Sequence, residues 1–311
     1  IVAYKKFGDN KKLAKEPIKY MLELYIKGND KKYEEEAREW FKKLEEGDKE
    51  ATSLWRKFRE LSIKDFEKIY SLLDIKFDEI SGESRYYNKA DYIVKELEDK
   101  NLLVKSEGAF LVNLEKYNLD KCLIKKADGT TLYSSRDLAA AVDRYKRYKF
   151  DKMIYEVGQE QTLHFKQIFK ILDLLGYKFS KSCIHVSHGL YLGEDGKKFA
   201  TRKGKTVFLE EVLEETISLA KREILKREKV NEKELEKRAR VIAIAAILYG
   251  DLKSYRNSDI VFDIEKFLAF EGDTGPYLLY TYARAKSILE KANYKKKKYK
   301  IVVLSDQPPI S

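Results

Sequence analysis

Cysteine is nearly absent from this chain, with two residues in 311, Cys122 and Cys183. They stand far apart and form no C-x-x-C pair, so a disulfide scaffold is excluded and no structural zinc is expected. Histidine is almost as scarce, with His164, His185 and His188 the full set of three. His185 and His188 lie three apart in a stretch patterned as a strand, which puts them on opposite faces and argues against a metal pair. No metal ligands are therefore assigned. Long apolar runs are missing too. Val241 to Tyr249 is the longest, far short of the ~20 residues that cross a bilayer, so no membrane partner is expected. No secretory signal opens the chain, and a reducing, cytoplasmic setting fits. No G-x-x-x-x-G-K-[ST] sequence occurs, which excludes a Walker-type phosphate loop.

What is present is charge. The net charge is +11 and the pI about 9.2, a balance that favours a polyanionic partner, nucleic acid or a phosphorylated ligand. Solvated lysine-rich helix faces are the plainer source of the same numbers. Hydrophobic residues make up 43%, enough for a globular chain with two or three domain cores. The chain opens at Ile1, without Met and inside an apolar pattern, so a further segment upstream is expected.

The first third reads as helices. Pro17 suits a first helical turn, and Ile18, Met21, Leu22 and Tyr25 follow at helical spacing. Tyr33, Ala37, Phe41 and Leu44 mark a second stripe, and Ala51, Leu54, Trp55 and Phe58 a third. Ser62 and Asp65 form a capping-box pattern ahead of Phe66, Ile69, Tyr70 and Leu73. These stripes are expected to be core. A short helix is predicted near Ala90 to Leu97. Two strand pairs follow, Leu102–Lys105 with Phe110–Leu114 and Cys122–Lys125 with Thr131–Tyr133, the second turning at Asp128-Gly129. Next come a helix carrying Leu138, Ala141, Val142 and Tyr145, a strand over 153–157, a helix carrying Phe165, Ile168, Phe169 and Leu172, and a strand over 184–192. That order argues for a parallel sheet with ligands beyond its carboxyl ends. The last third returns to helix around 209–220, 239–248 and 277–292. The Lys295–Lys298 run reads as a solvated end.

Several groups could carry chemistry. Asp137 completes a Ser134-x-x-Asp137 capping pattern. With Tyr133 at the same strand-to-helix turn it could instead hold a planar guanidinium, which asks for paired acceptors. Gln161 and His164 share a helix face. The loop after 192 holds Lys197, Lys198, Arg202, Lys203 and Lys205 between glycines. Such cations suit a triphosphate whose charge shifts during reaction, or simply face water.

Taken in order, these stretches resemble the arginyl-tRNA synthetases, a family of class I aminoacyl-tRNA synthetases. The resemblance is carried by Gly82-Glu83-Ser84, by Asp128-Gly129 leading to Tyr133-Ser134-Ser135-Arg136-Asp137-Leu138, and by Gly158 with Gln161-x-x-His164-Phe165-x-Gln167. His185-Val186-Ser187-His188-Gly189-Leu190, Gly193 to Gly204, and Glu271 to Ile288 complete it. The resemblance implies an α/β fold: the second half of a Rossmann-type parallel-sheet catalytic domain with a helical insertion, followed by an all-α anticodon-binding domain. Residues 1–130 would be the insertion and small hairpins, 131–210 the catalytic half, and 211–311 the helical stem-contact and partial anticodon-binding part.

The implied activity is arginine–tRNA ligation. The arginine carboxylate attacks the α-phosphate of ATP, with Mg²⁺, giving arginyl-adenylate, and the arginyl group passes to the 3′-terminal ribose of tRNA(Arg). By resemblance Tyr133, Asp137 and Gln161 bind arginine. His185, Val186, Gly189 and Leu190 flank ATP. Lys197, Lys198, Arg202 and Lys203 act on the phosphates, and Tyr280 and Arg284 meet tRNA. Thr201 stands where many class I enzymes carry a second loop lysine, so a neighbouring cation would supply that charge. No His-x-Gly-His sequence occurs in the chain. It is expected upstream, in the same or a second polypeptide, with the chain a monomer that is weakly active or inactive alone. The alternative is a non-catalytic tRNA- or RNA-binding paralogue or fragment. A different nucleotidyltransferase would use ATP without arginine.

Overall fold

The computed structural model describes residues 1–127, 130–193, 196, 208–261, 263–269 and 271–294. The chain divides into two units, residues 1–210 with 254–262, and residues 211–253 with 263–311.

The first unit begins with helices α1 (Val2–Phe7), α2 (Asn10–Lys15), α3 (Pro17–Gly28), α4 (Glu34–Glu45) and α5 (Lys49–Leu72). Pro17 opens α3 as its sequence position predicts. The stripe of Ala51 and Phe58 meets the core as its spacing predicts, but the two before it are shifted. Tyr20, Leu24 and Trp40 take the buried positions, while Tyr25, Phe41 and Phe66 are exposed. Apolar residues stand on more than one side of these helices, so helical spacing alone could not choose the buried face. Tyr25 and Phe41 instead line an apolar groove of about 430 Å³ with Trp40, Leu44 and Phe58. The Ser62–Asp65 capping box does not form, because α5 runs unbroken for 24 residues. Ser62 Oγ donates to Phe58 O within the helix at 2.8 Å, and Asp65 pairs with Lys68. Asp48 supplies the true cap, accepting from Ala51 N at 2.9 Å.

The main core forms next, from α6 (Tyr87–Asp99), β1 (Leu103–Ser106), β2 (Ala109–Val112), β3 (Cys122–Lys125), α7 (Tyr133–Tyr148), β4 (Met153–Gly158), α8 (Thr162–Leu174) and β5 (Cys183–His188). Strands β1 and β2 join through Glu107 and Gly108, both at positive φ, the twist a two-residue hairpin favours. β3 then pairs with β2. The return strand expected over Thr131–Tyr133 shrinks to one bridge between Lys125 and Thr131; its turn residues Asp128 and Gly129 lie outside the described residues. The reason is local. Ser134 Oγ donates to Leu123 O, and Ser135 Oγ to Ile124 O at 3.1 Å. Leu132 N still donates to Ile124 O at 3.1 Å, but α7 begins at Tyr133, and the Ser134 hydroxyl takes the Leu123 carbonyl in place of a further strand N–H.

β4 and β5 run parallel, with Gly158 opposite His188. Ile93, Leu97, Val112, Ile124, Leu138 and Ile168 belong to one buried cluster. Leu138 is 0% exposed at its centre. Leu138→Ala should therefore cost about 2–5 kcal/mol, read as a lower denaturation midpoint; a loss under ~1 kcal/mol would mean the site collapses around the void. Burial pushes the thiols of Cys122 and Cys183 up to about 11, so both act as small apolar core residues.

The strand expected over 184–192 is broken at Gly189. Beyond it β6 (Tyr191–Leu192) pairs with β7 (Ile260–Val261) in a separate parallel pair. The second unit is helical: α9 (Leu209–Leu225), α10 (Glu232–Leu252), α11 (Ile264–Leu268) and α12 (Gly275–Lys291). Asn231, Asp263 and Thr274 cap α10, α11 and α12 through their side chains. Ala220, Ile224, Leu235, Ala239 and Ala246 form its core. Among the described residues no helix is long and apolar enough to cross a membrane.

Candidate active site

The carboxyl end of the parallel pair is where polar groups collect. Gly158 ends β4, and residues 159–161 make one tight turn before α8 begins. Gln161 stands exposed in that turn, and His164, one turn into α8, is buried. Across from it is the start of α7. Tyr133 is its first residue and is 59% exposed. Asp137 lies one turn further on.

Asp137 caps nothing. The N-cap of α7 is Leu132, with no side-chain cap bond, and Ser134 is spent on β3. The Asp137 carboxylate meets His164 instead, Oδ2 to Nε2 at 2.7 Å. The Tyr133 ring packs on the His164 ring at 4.8 Å. The structure thus brings Tyr133, Asp137 and His164 together, with Gln161 at the same end of α8. His164 shares a helix face with Gln161 in the sequence, but its pairing with Asp137 has no sequence signal.

Neighbouring side chains hold this cluster. Arg136 donates to Glu83 at 2.7 Å and to Thr131 O at 3.1 Å, fixing the first turn of α7 and giving Glu83 of the Gly82-Glu83-Ser84 stretch a structural task. Phe165 stands 5.2 Å from the His164 ring and 4.8 Å from His185. His185 Nε2 donates to Val157 O at 2.9 Å, so this histidine ties β5 to β4 while its ring packs on α8. Beside Phe165 lies Tyr155, its hydroxyl buried. Burial pushes the Tyr155 phenol well above its ordinary range. The Arg144 guanidinium, 5.7 Å from its ring, opposes that shift, and the charge of Asp137 adds to it.

Past β5 the chain is held by residues 256–260, which no sequence pattern singled out. Gly189 N donates to Arg256 O at 2.7 Å, Leu190 N to Asp259 Oδ1 at 2.7 Å, and Ile260 N to Leu190 O at 2.8 Å. Ser187 Oγ donates to Asn257 at 2.9 Å. Gln159 reaches Asp259 at 3.5 Å, joining the ends of β4 and β5. Val186 lies within β5, level with Glu156 of β4. Lys197, Lys198, Arg202 and Lys203 lie outside the described residues. In the second unit, Tyr280 and Arg284 are exposed one turn apart on α12, with Arg284 Nη1 3.4 Å from the Tyr280 hydroxyl.

A parallel strand pair flanked by α7 and α8, with its polar cluster at the strands' carboxyl end, defines an α/β core with a candidate site at that end. The chain belongs to the family described as tRNA synthetases class I (R), catalytic domain, whose model matches residues 1–264. It is 49% identical over 301 residues to an arginine–tRNA ligase of an Exiguobacterium species, covering 94% of this chain and 53% of the relative. It is 46% identical to the arginine–tRNA ligase of Clostridium perfringens, covering 95% and 53%. Among solved structures it resembles the Plasmodium falciparum arginyl-tRNA synthetase, with 28% identity, a TM-score of 0.72, and 88% of this chain against 50% of that one. The Thermus thermophilus arginyl-tRNA synthetase, at 21% identity and TM-score 0.71 over 92% and 54% of the two chains, shares the fold. The chain spans about half the length of the curated relatives it matches.

Proposed function

We propose that this chain carries the arginine-recognising part of an arginine–tRNA ligase. The observation that carries the reading is Asp137, held by buried His164 beside Tyr133 at the carboxyl end of a parallel pair. A carboxylate with a phenol alongside suits a guanidinium, which presents planar paired donors. Gln161, exposed at the same helix end, would add an amide acceptor. The arginine so held offers its own carboxylate to the α-phosphate of ATP; arginyl-adenylate and pyrophosphate form, and the arginyl group then passes to the 3′-terminal ribose of tRNA(Arg). ATP would lie toward His185, Val186, Gly189 and Leu190, with Lys197, Lys198, Arg202 and Lys203 set against charge developing on the departing phosphates. Mg²⁺ belongs with the ATP phosphates. Among the described residues no cluster of three acidic, histidine or cysteine side chains is placed to hold a cation alone, so no step is assigned to a protein–metal site. Tyr280 and Arg284 would face tRNA, in the helical unit, where a basic balance strengthens phosphate binding at low salt.

The test is ATP–pyrophosphate exchange by this chain joined to the rest of the length its curated relatives possess, with tRNA present. Exchange should depend on arginine and be near background with lysine. Exchange without arginine dependence would assign the site to another nucleotidyl transfer. Salt-sensitive RNA binding with no exchange would leave a binding role alone.

A further inference from the structure

Asp137 carries the charge that a guanidinium would seek, but its side chain is 38% exposed, whereas that of its partner His164 is only 9% exposed. The exposed member of the pair is free to turn, and the buried one is not. His164 is clamped by the Tyr133 ring at 4.8 Å and the Phe165 ring at 5.2 Å, so its Nε2 has a fixed direction, and that direction is Asp137 Oδ2 at 2.7 Å. We propose that His164 is a positioning residue for arginine: with its proton on Nε2 it locks the Asp137 carboxylate in the orientation that meets the guanidinium. This rests on the arginine reading of the site.

The stoichiometry of hydrogen bonds supports the assignment. An ionised carboxylate accepts about four hydrogen bonds, and a guanidinium fork fills two of them. The His164 bond takes one site on Oδ2 and leaves Oδ1, with the remaining lone pair of Oδ2, for the fork. The remaining groups close by do not compete. Tyr155 stays a neutral phenol, and Arg144 lies over the Tyr155 ring. Preorganisation of this kind appears as affinity, because the ligand need not order the residue that binds it.

L-Arginine dissociation constants decide the matter, measured on the same full-length protein as the exchange assay. His164→Ala should weaken arginine by about ten- to a hundredfold, the weight of one hydrogen bond to a charged group. His164→Gln places an amide N–H near the Nε2 position and should stay within about threefold. ATP affinity should be unchanged in both, which also reports that the fold is intact. Imidazole ¹⁵N spectra should show the Nε2-protonated tautomer. Wild-type affinity in His164→Ala, equal losses in both variants, or an Nδ1-protonated ring would overturn the assignment. An Asp137→Asn protein that binds arginine normally would instead sink the arginine reading itself. Weak binding by Asp137→Asn with an unaffected His164→Ala would sink the positioning role alone.

Discussion

Replacing Asp137 by Asn should raise the arginine KM by about 30- to 150-fold while leaving the ATP KM nearly unchanged, from a loss of roughly 2–3 kcal/mol. Breaking one partner of a desolvated charge pair costs about 2–5 kcal/mol. The lower part of that range applies because the Asp137 side chain keeps 38% of its exposure before a ligand arrives, and solvent screens what it reaches. Asparagine keeps the shape and one acceptor oxygen but loses the charge. It also offers an N–H that can turn toward the His164 N–H, two donors facing each other. The fold should survive, since Asp137 caps no helix and the first turn of α7 is fixed by Ser134, Ser135 and Arg136. Arginine-dependent pyrophosphate exchange, with thermal melts alongside, makes the measurement. An unchanged arginine KM would leave Asp137 as an ordinary surface partner of His164.

The case of Asp137 also shows how far the sequence reaches. Helix α7 is legible because Leu138, Ala141, Val142 and Tyr145 recur at helical spacing, and three of these four are buried outright, although Ala139 and Ala140 on its other sides are buried as well. Tyr133 and Asp137 are legible because strand-to-helix turns collect ligand groups and because the motif is long. His164 is legible only as a neighbour of Gln161. Its bond to Asp137 joins two helices 27 residues apart in sequence, and no spacing rule encodes a contact made by packing. Helices α3 and α4 fail for the opposite reason. Tyr20 and Tyr25, or Trp40 and Phe41, offer competing apolar faces, and only the neighbouring helices choose between them. The end of β5 fails because its partner arrives from far away. Residues 256–260 carry no helical or strand period before β7, and they matter through backbone atoms that composition cannot reveal.

That last contact yields the second large effect. Gly189→Ala should release residues 256–260 from the end of β5. A Cβ at position 189 would overlap the Ser258 carbonyl and stand 2.9 Å from Asp259 N. Both neighbours are backbone, so no side chain can swing aside; the segment itself must move. The bonds at stake are Gly189 N to Arg256 O, Leu190 N to Asp259 Oδ1 and Ile260 N to Leu190 O. At about 0.5–1.5 kcal/mol for each neutral bond and somewhat more for the carboxylate, their joint loss is roughly 2–5 kcal/mol. Hydrogen exchange at the amides of 190 and 260 should then accelerate by about 30- to 4,000-fold, if local opening governs exchange. Global stability should fall much less, because the buried cluster around Leu138 is built from other elements. If ATP lies against Gly189 and Leu190 as proposed, its KM should rise with the exchange rates while the arginine KM holds. Gly158→Ala is the control: a Cβ there meets only His188 Cε1, at 3.9 Å, an ordinary contact, and both readouts should stay at wild-type values. Amide protection at 190 and 260 that persists in Gly189→Ala would mean that the crossing at Ser258 relaxes without cost, and that the glycine is there for some other reason than space.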